Sequence, residues 1–218
     1  MNTSDTTPAI PLSLEVFTDF VCPWCYLGNA VVKTLQASHP LQVTRTPFPL
    51  HPSTPVEGLL LSELLRGANL DAIHARLYAL MDELKLPHGK RDYTYNSRLA
   101  QELAMWGDTQ DGGERLHDLL YETYFVYNRN LAKPEVLLDC VDKAGLDKKA
   151  AQRVINERSF SGAVDTAWQR ARDMQITGVP TFVAGGYMVS GFRPVEEMQH
   201  FFDVVREHAG ARSTSPTE

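Results

Sequence analysis

The chain of 218 residues contains no run of lysine or arginine, and its formal net charge is −6. Phosphate recognition usually shows as a basic patch, so this balance argues against nucleic-acid binding. There is also no apolar stretch near the roughly 20 residues that a membrane-spanning helix needs. The opening, Met1-Asn2-Thr3-Ser4-Asp5-Thr6-Thr7-Pro8, lacks a basic segment followed by an apolar one. No secretory signal is read there, and the cytoplasm is the expected compartment. Cysteine is scarce: Cys22, Cys25 and Cys140 are the full set. A structural disulfide is not expected in a reducing compartment, and a spaced pair with one distant thiol is no disulfide framework. Gly-x-Gly-x-x-Gly, a Walker loop and Gly-x-Ser-x-Gly are all absent, which leaves no basis for nucleotide or serine-hydrolase chemistry.

What is present is globular. Apolar residues make up 43 % and charged residues 22 %, enough for a full core without cross-links. The length fits one large domain, or one domain carrying an insertion. Leu12, Leu14 and Val16 begin a strand over 12–18. Pro23 then suits the first position of a helix, where its missing N–H costs nothing. Trp24, Leu27, Gly28, Val31, Val32 and Leu35 recur with helical spacing and make one apolar stripe. A second strand is expected over 41–48.

The middle reads as almost wholly helical, with candidates at 60–67, 69–85, 96–106, 113–128, 134–144 and 147–157. Asn96 is the expected N-cap of the third, Pro134 a first helical residue and Gly145 a helix stop. Phe160, Val164, Ala167, Trp168, Ala171 and Met174 mark a further helix. A strand beginning at Pro180, a Gly185-Gly186 hairpin, a return strand over 187–190 and a helix opened by Pro194 complete the pattern. Joined, the two mixed blocks predict an α/β fold with a four-stranded mixed sheet and helices on both faces. The expected division is 10–54 with 160–210 as one discontinuous domain, 55–159 as a helical insertion, and 1–9 and 211–218 as flexible tails.

Cys22-Pro23-Trp24-Cys25 carries the strongest chemical signal. At a helix start, unpaired N–H groups and the helix dipole favour a thiolate, the nucleophile of disulfide exchange. Cys22 is expected as the attacking thiol, exposed at the helix tip, and Cys25 as the buried resolving thiol one turn inside. Half a zinc site or two ordinary core cysteines are the competing readings. Zinc would need two more ligands, and the seven histidines are scattered.

Val179-Pro180 is the second signal. A proline at a strand start after glycine suits either a cis bond or a trans proline that caps the strand. Beside a Cys-x-x-Cys, a cis loop would offer backbone groups to an extended substrate. Asp19 reads as a satisfied turn residue, with a proton-transfer role as the alternative. Cys140, on a helix with Val136, Leu137, Val141 and Ala144, reads as a buried inert thiol, the alternative being a third redox thiol. Trp106, Trp168, Tyr124 and Tyr127 are expected in packing, and the Glu and Lys of the helical block on solvated faces.

The segment Phe17-Thr18-Asp19-Phe20-Val21-Cys22-Pro23-Trp24-Cys25-Tyr26-Leu27-Gly28 resembles the active-site segment of the DsbA family. It is most similar to the FrnE-like branch, which is related to 2-hydroxychromene-2-carboxylate isomerases and kappa-class glutathione transferases. Asn96-Ser97-Arg98-Leu99-Ala100 and Gly178-Val179-Pro180-Thr181-Phe182 match further family segments, and the similarity runs from about Leu12 to Val205. The resemblance implies a thioredoxin fold with an inserted helical domain, and a cis Pro180 next to Cys22.

The isomerases and kappa transferases typically carry serine where this chain has Cys22, so dithiol–disulfide exchange is the better match. Cys22 and Cys25 are then the catalytic pair, with Pro23, Trp24, Val179 and Pro180 binding substrate. Protein or small-molecule thiols and disulfides are the expected partners, with glutathione as a redox partner and no cofactor or metal required. The Pro-Trp dipeptide, lacking the histidine of periplasmic DsbA, predicts a less oxidising couple. A glutathione-dependent isomerase or transferase is the alternative, and a non-enzymatic binding module a third reading. No helical seam argues for a dimer, and the sequence does not fix the oligomeric state.

Overall fold

The computed structural model describes residues 11–213. Strand β1 (Leu12–Thr18) leads into helix α1 (Pro23–Gln36) and strand β2 (Leu41–Pro47). The central stretch holds β3 (Leu59–Leu60), α2 (Leu61–Leu64), α3 (Leu70–Glu83), β4 (Tyr93–Thr94) and α4 (Arg98–Gly107). Helices α5 (Glu114–Phe125), α6 (Pro134–Ala144), α7 (Lys148–Glu157) and α8 (Ser161–Asp173) follow. The chain then forms β5 (Thr181–Ala184), β6 (Tyr187–Ser190) and α9 (Val195–Ser213).

The main sheet runs β2-β1-β5-β6. β1 and β2 are parallel, with Leu12 opposite Leu41 and Thr18 opposite Pro47. β5 is antiparallel to β1, placing Val16 opposite Phe182, and β6 is antiparallel to β5. The fold is therefore the mixed four-stranded sheet of a thioredoxin fold. Parallel strands need a crossover, which α1 supplies. Gly185 and Gly186, at φ 56° and 85°, make the tight β5–β6 turn that left-handed backbone favours.

Alternation along β1 divides the core. Leu14 and Val16 pack with Val31, Val32 and Leu35 of α1, and with Met198, Phe202 and Val205 of α9. Phe17 joins a larger cluster with Leu103 of α4 and Leu116, Leu120, Tyr121 and Tyr124 of α5. Each fully buried Leu or Phe is worth about 1.5–3 kcal/mol, so both faces of β1 are held firmly.

Several expectations are corrected. β2 stops at Pro47 because proline has no N–H to pair, although the Phe48 amide still donates to the Thr18 carbonyl at 2.9 Å. The β3–β4 ribbon falls in a stretch read as helix and loop, and two-residue strands leave no periodic signal. The N-cap of α4 is Ser97 rather than Asn96. The Asn96 side chain instead accepts from the Arg98 amide and donates to the Pro52 and Thr54 carbonyls. α5 ends at Phe125, and Asn128 turns left-handed at φ 46°. Tyr127 is exposed, since it lies past the end of that helix, and Lys143 sits over its ring. α9 continues to Ser213, so 211–213 are helical rather than tail. Residues 1–9 and 214–218 of the predicted tails lie outside the described residues.

Glu102 departs from the solvated-face expectation. Its side chain is 2 % exposed and accepts from Arg98 Nε and from Nε and Nη2 of Arg158, each at 2.7 Å. Charge-assisted bonds of this kind offset the burial of the carboxylate. Glu102→Gln would turn an amide N–H2 toward guanidinium donors. We expect a loss of about 2 kcal/mol, read as a lower urea midpoint at unchanged slope. An unchanged midpoint would show that the pair contributes nothing net.

Candidate active site

The site is built where β1 hands over to α1. The Cys22 amide donates to the Asp19 carbonyl at 3.1 Å, closing a turn that leaves Cys22 as N-cap with φ −87° and ψ 115°. Its side chain makes no capping bond, and Pro23 starts the helix. The Cys22 thiol instead donates to the Val179 carbonyl, with Sγ 3.4 Å from the oxygen. The Val179–Pro180 peptide is cis. The loop is pinned by Thr181 Oγ1 donating to the Gly178 carbonyl and by the Gly191 amide donating to the Pro180 carbonyl, both at 2.8 Å. A Cβ on Gly28 would lie 3.2 Å from the Phe182 ring and 3.4 Å from Pro180. Glycine there lets α1 close onto the loop, which explains its place in the apolar stripe.

All three cysteines are free thiols. Cys22 and Cys25 are each 2 % exposed. The expectation that Cys22 stands exposed at the helix tip is therefore corrected: the Val179–Pro180 loop lies against its sulfur, and the apolar cluster that includes Phe20, Val21 and Val179 closes around it. Burial, then the hydrogen bond and charge of Cys22, push the Cys25 thiol well above its ordinary range. Thr18 and the Asp19 amide pull weakly the other way. Cys140 is buried too, with Thr123 Oγ1 3.1 Å from its sulfur and the Val136 carbonyl accepting from it.

Asp19 is the buried acid of the site, 1 % exposed. Its Oδ1 accepts from the Val21 amide at 3.1 Å, and its Oδ2 from the Leu50 amide at 3.2 Å and Gln101 Nε2 at 3.1 Å. Burial raises its pKa to about 6 despite these donors. Gln101 also donates to the Phe48 carbonyl and accepts from Trp168 Nε1. Behind Cys25, Thr18 Oγ1 and Tyr121 Oη are 2.5 Å apart. Sequence reading missed Thr18, Gln101 and Tyr121, whose positions give no local signal.

Beside the thiols, Trp24, Arg76, Ala79, Leu80, Val179 and Phe192 help line a groove of about 570 Å³. The Arg76 guanidinium lies over the Trp24 ring at 5.9 Å, and the Phe192 ring centre is 6.3 Å from that of Trp24. Cys22, Pro23, Trp24, Cys25, Val179 and Pro180 thus converge on one place. Among the described residues, no three His, Cys, Asp or Glu side chains gather into a metal-binding set.

A thioredoxin-type sheet with Cys-x-x-Cys at the start of its first helix, facing a cis-proline loop, defines a thiol oxidoreductase. The chain belongs to the family of the DSBA-like thioredoxin domain, whose model matches residues 13–203. It is accordingly an enzyme of the DsbA oxidoreductase/isomerase kind, acting on thiols and disulfides. A probable DsbA oxidoreductase from Streptomyces coelicolor is 25 % identical, with TM-score 0.83 over 95 % of this chain and 93 % of that one. A 2-hydroxychromene-2-carboxylate isomerase aligns at TM-score 0.70 and 15 % identity, covering 93 % of this chain and all of its own (100 %). The cytosolic disulfide reductase DsbM from Pseudomonas aeruginosa, solved also with GSH, aligns at TM-score 0.65 and 17 % identity over 88 % and 98 %. The last two likenesses establish a common fold. Among the described residues no helix is long and apolar enough to cross a membrane.

Proposed function

We propose that this chain is a cytoplasmic dithiol–disulfide oxidoreductase working through Cys22 and Cys25. One observation carries the reading: two free thiols share a helix start, with Cys22 against the Val179 carbonyl and Cys25 sealed behind it. A disulfide-bearing segment enters the groove between Trp24, Arg76 and Phe192 and aligns along the Val179–Pro180 backbone. The Cys22 thiolate attacks one substrate sulfur, and the other leaves as a thiolate. Cys25 then loses its proton and attacks Cys22, which breaks the mixed disulfide and releases the second substrate sulfur. The substrate gains two electrons, and the enzyme is left with a Cys22–Cys25 disulfide. Run backward, the same steps oxidise a dithiol.

In this reading residues 10–54 and 160–210 carry the thiols, and the inserted 55–159 supplies one groove wall through α3. Protein disulfides are the favoured substrates and glutathione mixed disulfides a second class, with no cofactor or metal required. The cytosolic DsbM neighbour and its GSH complex support the compartment and the glutathione link.

The test is equilibration of a Cys140→Ser variant in glutathione buffers, with free thiols counted by alkylation and mass. A reversible two-electron transition is expected, between the roughly −120 mV of DsbA and the roughly −270 mV of thioredoxin. The upper bound follows from the Pro-Trp dipeptide, which places no ionisable imidazole between the cysteines. If no Cys22–Cys25 disulfide formed at any poise while the protein stayed folded, the glutathione-dependent isomerase or transferase would replace this reading.

A further inference from the structure

A single ionisable side chain lines the groove beside the thiols. It is Arg76 of α3, which is exposed and places its guanidinium over the Trp24 ring. The other lining residues, Ala79, Leu80 and Phe192 among them, carry no charge. Two of the lining residues tie the groove to the chemistry. Trp24 stands between the two cysteines in sequence, and the Val179 carbonyl accepts from the Cys22 thiol.

The helix gives Arg76 no acid of its own. The positions three and four residues away hold Ala72, Ile73, Ala79 and Leu80, so no carboxylate stands beside it on that face. The next acid along the face, Glu83, lies two turns on, about 10 Å along the axis. Other arginines are matched: Arg45, Arg98, Arg158 and Arg170 each meet a carboxylate. Arg193, next to Phe192, is engaged by Glu197 and by the Ser190 carbonyl. Among the described residues Arg76 forms no such pair, in a chain whose net charge is −6. An arginine held against an aromatic ring still offers N–H groups in the fork that fits a carboxylate.

We propose that Arg76 sets the substrate preference of this site, selecting disulfides in polypeptide segments that carry Asp or Glu within two residues of the reacting cysteine. This rests on reading Cys22 and Cys25 as the exchange pair. The segment runs extended along the Val179–Pro180 loop, advancing by about 3.3 Å per residue. A side chain flanking the reacting cysteine then comes to the Trp24–Arg76 side of the groove, where its carboxylate accepts from the guanidinium. Apolar flanking side chains pack on Leu80 and Phe192. Glutathione fits this lining less well. It carries two carboxylates and an ammonium, and the groove offers one cation and no acid to meet them. Arg76 acts on the choice of segment and takes no part in the electron transfer.

The test is single-turnover reduction of peptide disulfides by the reduced full chain in about 0.05 M salt, where screening is weak. Each substrate is the symmetrical disulfide of a short peptide, with leucine at each end and a central cysteine flanked on both sides by Glu, Gln or Lys. Every rate is divided by that of the same peptide with dithiothreitol, which removes differences in disulfide reactivity. The Glu peptide is expected to react about fivefold faster than the Gln peptide, the upper range for one exposed ion pair. In Arg76→Gln that ratio should fall to about one, and in Arg76→Glu the Lys peptide should become the preferred substrate. A native ratio near one, a ratio unmoved by Arg76→Gln, or no gain for the Lys peptide in Arg76→Glu would overturn the assignment. So would glutathione disulfide losing as much rate as the Glu peptide in Arg76→Gln, since Arg76 would then serve glutathione as readily as a polypeptide. If the unsubstituted chain reduced neither the peptides nor glutathione disulfide, the exchange-pair reading itself would fail, and the preference with it.

Discussion

Turnover of a disulfide substrate is expected to fall by roughly a thousandfold or more in a Cys22→Ser variant, whereas Cys25→Ser should arrest after the first half-reaction. The asymmetry follows from position. Cys22 sits at the helix start against the carbonyl of Val179, a residue that lines the groove. Cys25 faces inward, toward Thr18 and Tyr121. A serine hydroxyl at 22 is not ionised near neutral pH and cannot displace a sulfur leaving group. A serine at 25 leaves the first attack intact but removes the thiol that resolves the mixed disulfide. One equivalent of substrate thiol should then appear, together with a covalent adduct at Cys22 visible by intact mass. Two results would sink the mechanism: a Cys22→Ser enzyme retaining a tenth of its activity, or a Cys25→Ser enzyme turning over repeatedly on a protein disulfide. A glutathione-dependent isomerase, by contrast, would keep its own chemistry in Cys25→Ser, since that chemistry does not pass through an internal disulfide.

The parts of the site that are local in sequence were legible there. Cys22 and Cys25 are three residues apart, and Pro23 marks the helix start, so the strand–thiol–helix hand-over needs no tertiary information. The same holds for the Gly185-Gly186 turn and the Gly145 stop, each made by the backbone freedom of glycine. What was not legible is what arrives from far away. Gln101 reaches Asp19 across 82 positions, and Tyr121 reaches Thr18 across 103. Both stand on helices whose apolar periodicity announces a buried face without saying what it covers. The burial of Cys22 belongs to the same class, because a loop 157 positions away covers its sulfur. Glu102 shows the converse: a charge at a helical position looks solvated until two arginines are brought to it, one of them 56 residues on.

The stability of the protein is expected to drop with rising pH in a way that Asp19 controls. Its carboxyl has a pKa of about 6 when folded, against 3.8 for the unperturbed group, and burial is the main cause. A group that binds its proton more tightly in the folded state stabilises that state while protonated. Stability from this source is therefore greatest below about pH 4 and is lost as pH rises through about 6. A difference of about two pKa units corresponds to about 3 kcal/mol. Other groups pull the opposite way over part of this range. Arg170 lowers Glu15, and burial lowers His51 and His74, so their contributions grow as pH rises through their unfolded values. The raw pH profile of the protein mixes these effects, and the informative quantity is the difference between it and Asp19→Asn. The asparagine places an amide N–H2 against the donors that Asp19 now accepts from, a penalty that does not vary with pH. Its stability minus that of the native chain should therefore rise by about 3 kcal/mol between about pH 4 and 7, measured by urea unfolding at each pH. A flat difference would mean that the Val21, Leu50 and Gln101 donors hold the carboxylate as well as water does. A rising one would mean that the protein maintains, at neutral pH, an ionised acid in its core directly under the turn that carries Cys22. Those same donors tie the anion to the Val21 and Leu50 backbone. In the proposed mechanism, the stability lost there fixes the turn that carries the buried Cys22 thiol.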